Sequence, residues 1–443
     1  MNNAHSFRRS IGKKAAMLVG IAMLVWLLGG CSSSSSNDEG TGNRSSSEST
    51  TEAGQSANGG DHDTSEPSSE ESTSSKSDTS NRKENKDKRG YGSQDKEVQA
   101  GQLTAGEWDD LAAWERFGNL LNSQEGDSSL RAWSFAAFHR VEVVVTANGK
   151  AVADAEVKVM QGGQPLWEAR TNTEGRSYVF AGLFGVQENR RQSEYVIEAR
   201  AGQQNKRLEN IDITKQGVVK VDLGSESGAS LSDQVDVMFV VDTTGSMEDE
   251  LNYLGAELKD VIRRVSEEHA NQLDIRLSAN FYRDKHDDYI VKPHPFVTNV
   301  DTVTGWITKE NARGGGDFPE AVDQALRDAI HDHEWSKEAR ARLLFLVLDA
   351  PPHSDPQIID EVQQLIQDAA KQGIRVIPVA SSGINVDTEY LLRFMAVASG
   401  GTYLFLTDDS GIGGDHLEPA VGEYEVKLLN DLLVEVINRY VQE

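Results

Sequence analysis

The run Val235-Asp-Val-Met-Phe-Val-Val241 constrains the fold more than any other stretch of the chain. A strand with one wet face alternates apolar and polar side chains. This one is apolar at six of its seven positions, as a strand must be when helices cover both faces of a parallel sheet. Apolar residues at helical spacing follow it, at Met247, Leu251, Leu254, Leu258, Val261 and Ile262. Further strands are predicted at 275–282, 343–348, 375–379 and 402–406, with helices at 320–331, 356–371, 387–399 and 424–440. The alternation predicts an α/β, Rossmann-like open sheet over residues 233–443, and such sheets bind ligands at the carboxyl ends of their strands.

The opposite end of the chain has no means of folding that way. Between Ser32 and Gly90 there is no Val, Ile, Leu, Met, Phe, Trp or Tyr. Nothing there offsets the entropy of ordering, so residues 31–102 are expected to form a disordered Ser/Asp/Glu-rich tether. Ahead of it, Arg8, Arg9, Lys13 and Lys14 precede an apolar run over residues 15–28. That run is shorter than the roughly 20 residues a transmembrane helix needs and has the layout of a secretory signal, residues 1–30. It ends in Leu28-Gly29-Gly30-Cys31, which resembles the lipobox of bacterial lipoprotein precursors. The resemblance implies cleavage after Gly30, acylation of Cys31 and, with Ser32 next in line, an outer-membrane destination in the cell envelope. Cys31 is the one cysteine in the chain, which excludes an internal disulfide framework and any multi-cysteine zinc or iron–sulfur site.

Residues 103–228 read as a middle module. Leu111, Trp114, Phe117 and Leu121 fall at helical intervals, so 108–121 is expected to form a short amphipathic helix. The period then changes to two. Val141, Val143 and Val145 alternate with Glu142, Val144 and Thr146, and a turn at Asn148-Gly149 leads into Ala155, Val157 and Val159. Strands at 166–171, 177–180, 195–201, 207–213 and 218–221 would complete an antiparallel β-sandwich. The wording from Asn148 to Val157 and from Ala169 to Arg176 resembles carboxypeptidase-regulatory or transthyretin-like modules, which implies a spacer or carbohydrate-binding role and no catalysis.

A length of 443 residues is a prior for two or three domains. The formal net charge of −27 excludes a nucleic-acid binder, because phosphate contacts need clustered Lys and Arg. Residues 233–443 hold 39 Asp and Glu against 18 Lys and Arg, so most of that charge sits in one domain, where it attracts divalent cations and repels polyanions.

Chemistry is concentrated where strands end. The first strand runs into Asp242-Thr243-Thr244-Gly245-Ser246, and the strand at 343–348 runs into Asp349-Ala350-Pro351-Pro352-His353. A loop before another helix reads Gly314-Gly315-Gly316-Asp317-Phe318-Pro319-Glu320. Carboxylates and hydroxyls without sulfur are hard oxygen ligands, suited to magnesium, manganese or calcium and unsuited to zinc or copper. Successive glycines let backbone approach closely, and Pro319 suits the start of a helix.

Asp242-x-Thr244-x-Ser246 resembles the Asp-x-Ser/Thr-x-Ser signature of von Willebrand factor type A domains, whose metal-ion-dependent adhesion site lies on top of such a sheet. The Gly-Gly-Gly-Asp-x-Pro-Glu loop and Tyr282-Arg283-Asp284 are similar to the hemicentin branch and, more distantly, to integrin β-subunit domains. The resemblance implies that Thr244 and Ser246 ligate a divalent cation, magnesium first with manganese or calcium as alternatives. Asp242 and Asp349 would act directly or through water. Asp317 stands where many members supply a threonine, and Asp284 and Glu320 are near-site candidates.

The function implied is non-catalytic binding of a protein ligand by a membrane-anchored envelope lipoprotein. That ligand would offer Asp or Glu from a neutral or basic surface. A metal-independent scaffold is the alternative reading. A metal-dependent hydrolase using Asp349 and His353 is a third, and it would need a base in reach of a metal-bound water.

Overall fold

A computed structural model of the chain describes residues 98–135, 138–184, 194–213, 215, 217–224, 231–270 and 272–442. The signal sequence, Cys31 and the tether up to residue 97 lie outside the described residues; residues 98–102, which the sequence reading assigns to the disordered tether, are described, and Gly101 and Gln102 are held by Glu257. Among the described residues, no helix is long and apolar enough to cross a membrane.

The first element corrects the sequence reading. Residue 108 was expected to open a helix, but Thr104–Trp108 is a strand, β1, and the helix α1 spans Trp114–Leu121, with α2 at Gln124–Ala132. Asp109 makes the break: its Oδ1 accepts the backbone N–H groups of Leu111 and Ala112 at 2.8 and 3.1 Å, a local turn that competes with helix.

Eight strands follow: β2 (His139–Ala147), β3 (Lys150–Ala151), β4 (Glu156–Gln161), β5 (Gln164–Arg170), β6 (Arg176–Ala181), β7 (Tyr195–Ala201), β8 (Gln204–Ile211) and β9 (Val218–Asp222). Asn148 and Gly149 both take positive φ between Ala147 and Lys150, which are paired. That is the two-residue hairpin geometry that Asn-Gly favours. One sheet runs β3-β2-β6 with β9 also on β2, and the other runs β5-β4-β7-β8. The alternation works as expected: Val141, Val143 and Val145 face Val157, Val159 and Ile197 in one core. One pairing departs from the wholly antiparallel expectation, since β9 lies parallel to β2.

The C-terminal domain contains β10 (Gln234–Asp242), α3 (Glu248–His269), β11 (Asp274–Tyr282), β12 (Val291–Lys292), α4 (Val300–Ile307), α5 (Val322–Arg327), β13 (Ala341–Leu348), α6 (Pro356–Gln372), β14 (Ile374–Ala380), α7 (Val386–Ser399), β15 (Tyr403–Leu406), β16 (Lys427–Leu428) and α8 (Leu429–Val441). Its sheet is ordered β12-β11-β10-β13-β14-β15-β1-β16. The five strands from β11 to β15 in that order are mutually parallel, and β12, β1 and β16 are antiparallel additions at the edges.

The two-sided burial predicted for the first strand is present. Val235, Val237, Phe239 and Val241 pack with α3 and α8 in one apolar core. Met238 and Val240 face the other core, which holds α6, α7 and the sandwich. Asp236, the polar exception, is fully buried and held by the Arg276 guanidinium through two bonds of 2.8 Å.

Two helices start later than expected. The helix predicted from 424 begins at Leu429, because Lys427 and Leu428 pair with Ala105 and Thr104 of β1. The helix predicted from 320 begins at Val322, because the N–H of Glu320 bonds to the carbonyl of Pro351.

Candidate metal centre

Strand order reverses between β10 and β13, and the carboxyl ends of these two strands open a crevice at that switch point. Asp242 closes β10 and Asp349 follows β13. Asp242 is fully buried, and its Oδ1 accepts the Thr244 backbone N–H at 2.8 Å and the Thr244 hydroxyl at 2.7 Å. The Thr244 and Ser246 hydroxyls lie 3.2 Å apart. Asp242 is thus the acid on which the turn is folded, and one of its oxygens is committed to that task.

The other oxygen is not. Asp242 Oδ2, Asp349 Oδ1 and Glu320 Oε2 are all buried and have no hydrogen-bond partner. Buried polar atoms are nearly always paired, so an unpaired oxygen on each of these neighbouring carboxylates requires an explanation. Burial, and then the charge of Asp349, push the Asp242 carboxyl up to about 7. Asp349 rises to about 6 through burial and the charge of Glu250, against a lowering by the Ser246 hydroxyl. Glu320 rises to about 9 through burial and the charges of Asp242, Asp284, Asp349 and Asp287. The site concentrates negative charge beyond what its own hydrogen bonds neutralise.

The glycine loop forms the opposite wall. Gly314 and Gly315 both take positive φ, and a Cβ on Gly315 would come within 2.9 Å of Glu320 Oε1 and 3.4 Å of Thr244 Cβ. The loop is pinned over the turn by the Gly245 N–H on the Gly314 carbonyl and the Gly315 N–H on Asp287 Oδ2. A cleft of about 270 Å³ remains, with Ser246, Asp349, Glu320 and Phe318 among its walls.

Of the residues expected from sequence, Asp242, Thr244, Ser246 and Asp349 come together. Asp317 reaches the cleft but stays exposed at its mouth. The carboxylate on the buried wall belongs instead to Glu320, which was expected only near the site and which the early bend at Pro351 turns inward. Asp284 is taken by His353, whose Nε2 lies 2.8 Å from Asp284 Oδ1. Although burial opposes it, that contact with the imidazole holds the Asp284 carboxyl below its usual range. His353 is therefore engaged away from Asp349. Among the described residues, no group of three or more His, Cys, Asp or Glu side chains is placed to hold a metal ion. The donor set on offer combines two carboxylates with two hydroxyls, and Glu320 beside them.

Glu250 is the residue the sequence did not signal. It is fully buried, its Oε1 accepts the Ser382 N–H at 3.0 Å, and its Oε2 is unpaired. In the sequence it is one of three acids in the first turn of α3, where acids ordinarily serve the helix dipole. His333 sits against Asp328 and Asn280.

Residues 236–408 match the model of the von Willebrand factor A domain family. An ariadne-like RING finger protein of Acanthamoeba polyphaga mimivirus is 26% identical over 218 residues, which is 45% of this chain and 20% of that protein. The chain thus spans about a fifth of that relative's length. The crystal structure of the conserved hypothetical protein BatB from Bacteroides thetaiotaomicron covers 47% of this chain and 100% of its own, at 11% identity and a TM-score of 0.33.

Proposed function

We propose that the type A domain binds a protein partner through a divalent cation held by Asp242, Thr244, Ser246 and Asp349, with Glu320 beside it and Asp317 at the mouth. The observation that carries this reading is the trio of buried, unpaired oxygens on Asp242, Asp349 and Glu320. A cation supplies what they lack: it compensates the buried charge and favours the ionised carboxylates. Hard oxygen donors suit magnesium, manganese or calcium, and the resemblance to type A domains puts magnesium first. An Asp or Glu from the partner would take an open position on the ion and so couple binding to metal.

The role proposed is recognition without turnover; the pairing of His353 with Asp284, and not with Asp349, supports this reading over the hydrolase. The lipobox-like Leu28-Gly29-Gly30-Cys31 supports attachment to a bacterial envelope membrane through Cys31.

Thermal unfolding of the full chain with magnesium, manganese or calcium, each against chelator, tests the site. A ligand at 100 times its dissociation constant adds about 2.7 kcal/mol, which for a unit of this size is a rise of about 4 °C. Asp242→Ala should remove the rise while the domain stays folded. A mutant that responds to metal as the parent does would overturn the assignment, and a parent that never responds would favour the metal-independent scaffold.

A further inference from the structure

The cation reading leaves Phe318 without a role. It stands in the glycine loop at 44% exposure and lines the same cleft as Ser246 and Asp349. It belongs to neither apolar core and is the one exposed aromatic among the described residues. A lone exposed apolar side chain is ordinary on a protein surface. Phe318 is set apart by its place, at the lip of a cleft lined by Asp349 and Glu320, each with a buried, unpaired carboxylate oxygen. Aromatic side chains at such positions carry a large share of binding energy at interfaces.

Size and charge narrow the occupant. A cleft of about 270 Å³ is below the range of roughly 300–1,000 Å³ typical of small-molecule pockets. It suits one side chain inserted beside an ion. The loops that follow the parallel strands share this end of the sheet, and there Glu248, Asp249, Asp288, Asp355 and Asp415 are exposed. A ligand carboxylate arriving here must bring compensating positive charge around it.

We propose that Phe318 is the apolar half of a two-part recognition site for an extended peptide segment of a partner protein. An Asp or Glu of that segment completes the cation's shell, an adjacent Leu, Ile, Phe or Trp packs on Phe318, and Lys or Arg flank the pair. This rests on the cation reading given above. A second copy of the chain is disfavoured as occupant by its net charge of −27.

The test is selection of a random heptapeptide library on the immobilised full chain, in millimolar magnesium and in chelator. Peptides enriched in magnesium alone should carry an acid next to an apolar residue with basic flanks. A synthetic peptide of that composition should bind Phe318→Ala at least about tenfold more weakly than the parent. Phe318→Leu, which keeps apolar surface, should retain most of the affinity. The proposal is overturned if the peptide binds Phe318→Ala and parent equally, or if enriched acids have no apolar neighbour. It is also overturned if magnesium instead drives self-association that Phe318→Ala abolishes, which would make a second copy the occupant. If magnesium stabilises the chain but enriches no peptide, this proposal fails alone. If magnesium neither stabilises the chain nor enriches a peptide, the cation reading fails with it.

Discussion

Asp242, Asp349 and Glu320 are buried, and each carboxyl is held well above its ordinary value. In the metal-free state the native protein therefore keeps protons that the unfolded chain has already released near pH 4. Between that pH and the raised native values the folded form binds more protons, so stability falls as pH rises from about 4 and stops falling once the native values, about 6 to 9, are passed. A cation needs the ionised carboxylates and competes with those protons. The magnesium-induced rise in melting temperature should accordingly be small near pH 5 and grow toward pH 8. A rise that is the same at both pH values would mean that these carboxylates are not the ligands.

At the scale of elements, most of the C-terminal domain is legible because its signals are local. Strands covered on both faces, such as β13 and β14, read as short apolar runs, and α6 between them carries a helical period. What is illegible depends on partners distant in the chain. The segment 104–108 is too short to show a period of its own. It is a strand because β15, some 300 residues later, offers it an antiparallel edge. The same strand explains the late start of α8, whose approach at 427–428 is paired to it.

The entry of the chain into β1 is fastened by one side chain. Glu257 of α3 is fully buried and accepts three successive backbone N–H groups, from Gly101, Gln102 and Leu103, at 2.7, 2.8 and 3.1 Å. Bonds to a charged acceptor are worth more than neutral ones, and losing it strands the donors. Glu257→Ala should cost about 2–4 kcal/mol of stability in urea unfolding of the full chain. A change below about 0.5 kcal/mol, ordinary for a surface site, would show that β1 is held by its strand partners alone.

As a whole, residues 98–442 are more closely joined than a spacer and a binding domain would be. Phe135 lies 4.0 Å, centroid to centroid, from Phe394 of α7, and the two valine-rich sheets share an apolar core with α6 and α7. Charged groups tie the parts together as well. Arg393, fully buried, holds Asp110 through bonds of 2.7 and 2.8 Å, and Arg342 of β13 grips Asp154 of the sandwich. None of these contacts is visible in the sequence, since an arginine looks the same whether solvated or enclosed.

The site divides along the same line. Asp242, Thr244, Ser246 and Asp349 are readable as oxygen donors at strand ends. Glu320 and Glu250 take their places only because chain bends and packing turn them inward.

The most direct measurement is anomalous diffraction from crystals of the protein grown with manganese, which locates the ion by its own signal. The account predicts one strong peak at coordination distance, roughly 2.0–2.6 Å, from the Ser246 and Thr244 hydroxyls, facing Asp242 Oδ2 and Asp349 Oδ1, and its absence in Asp242→Ala. A fully occupied ion elsewhere on the chain, with none between β10 and β13, would contradict it.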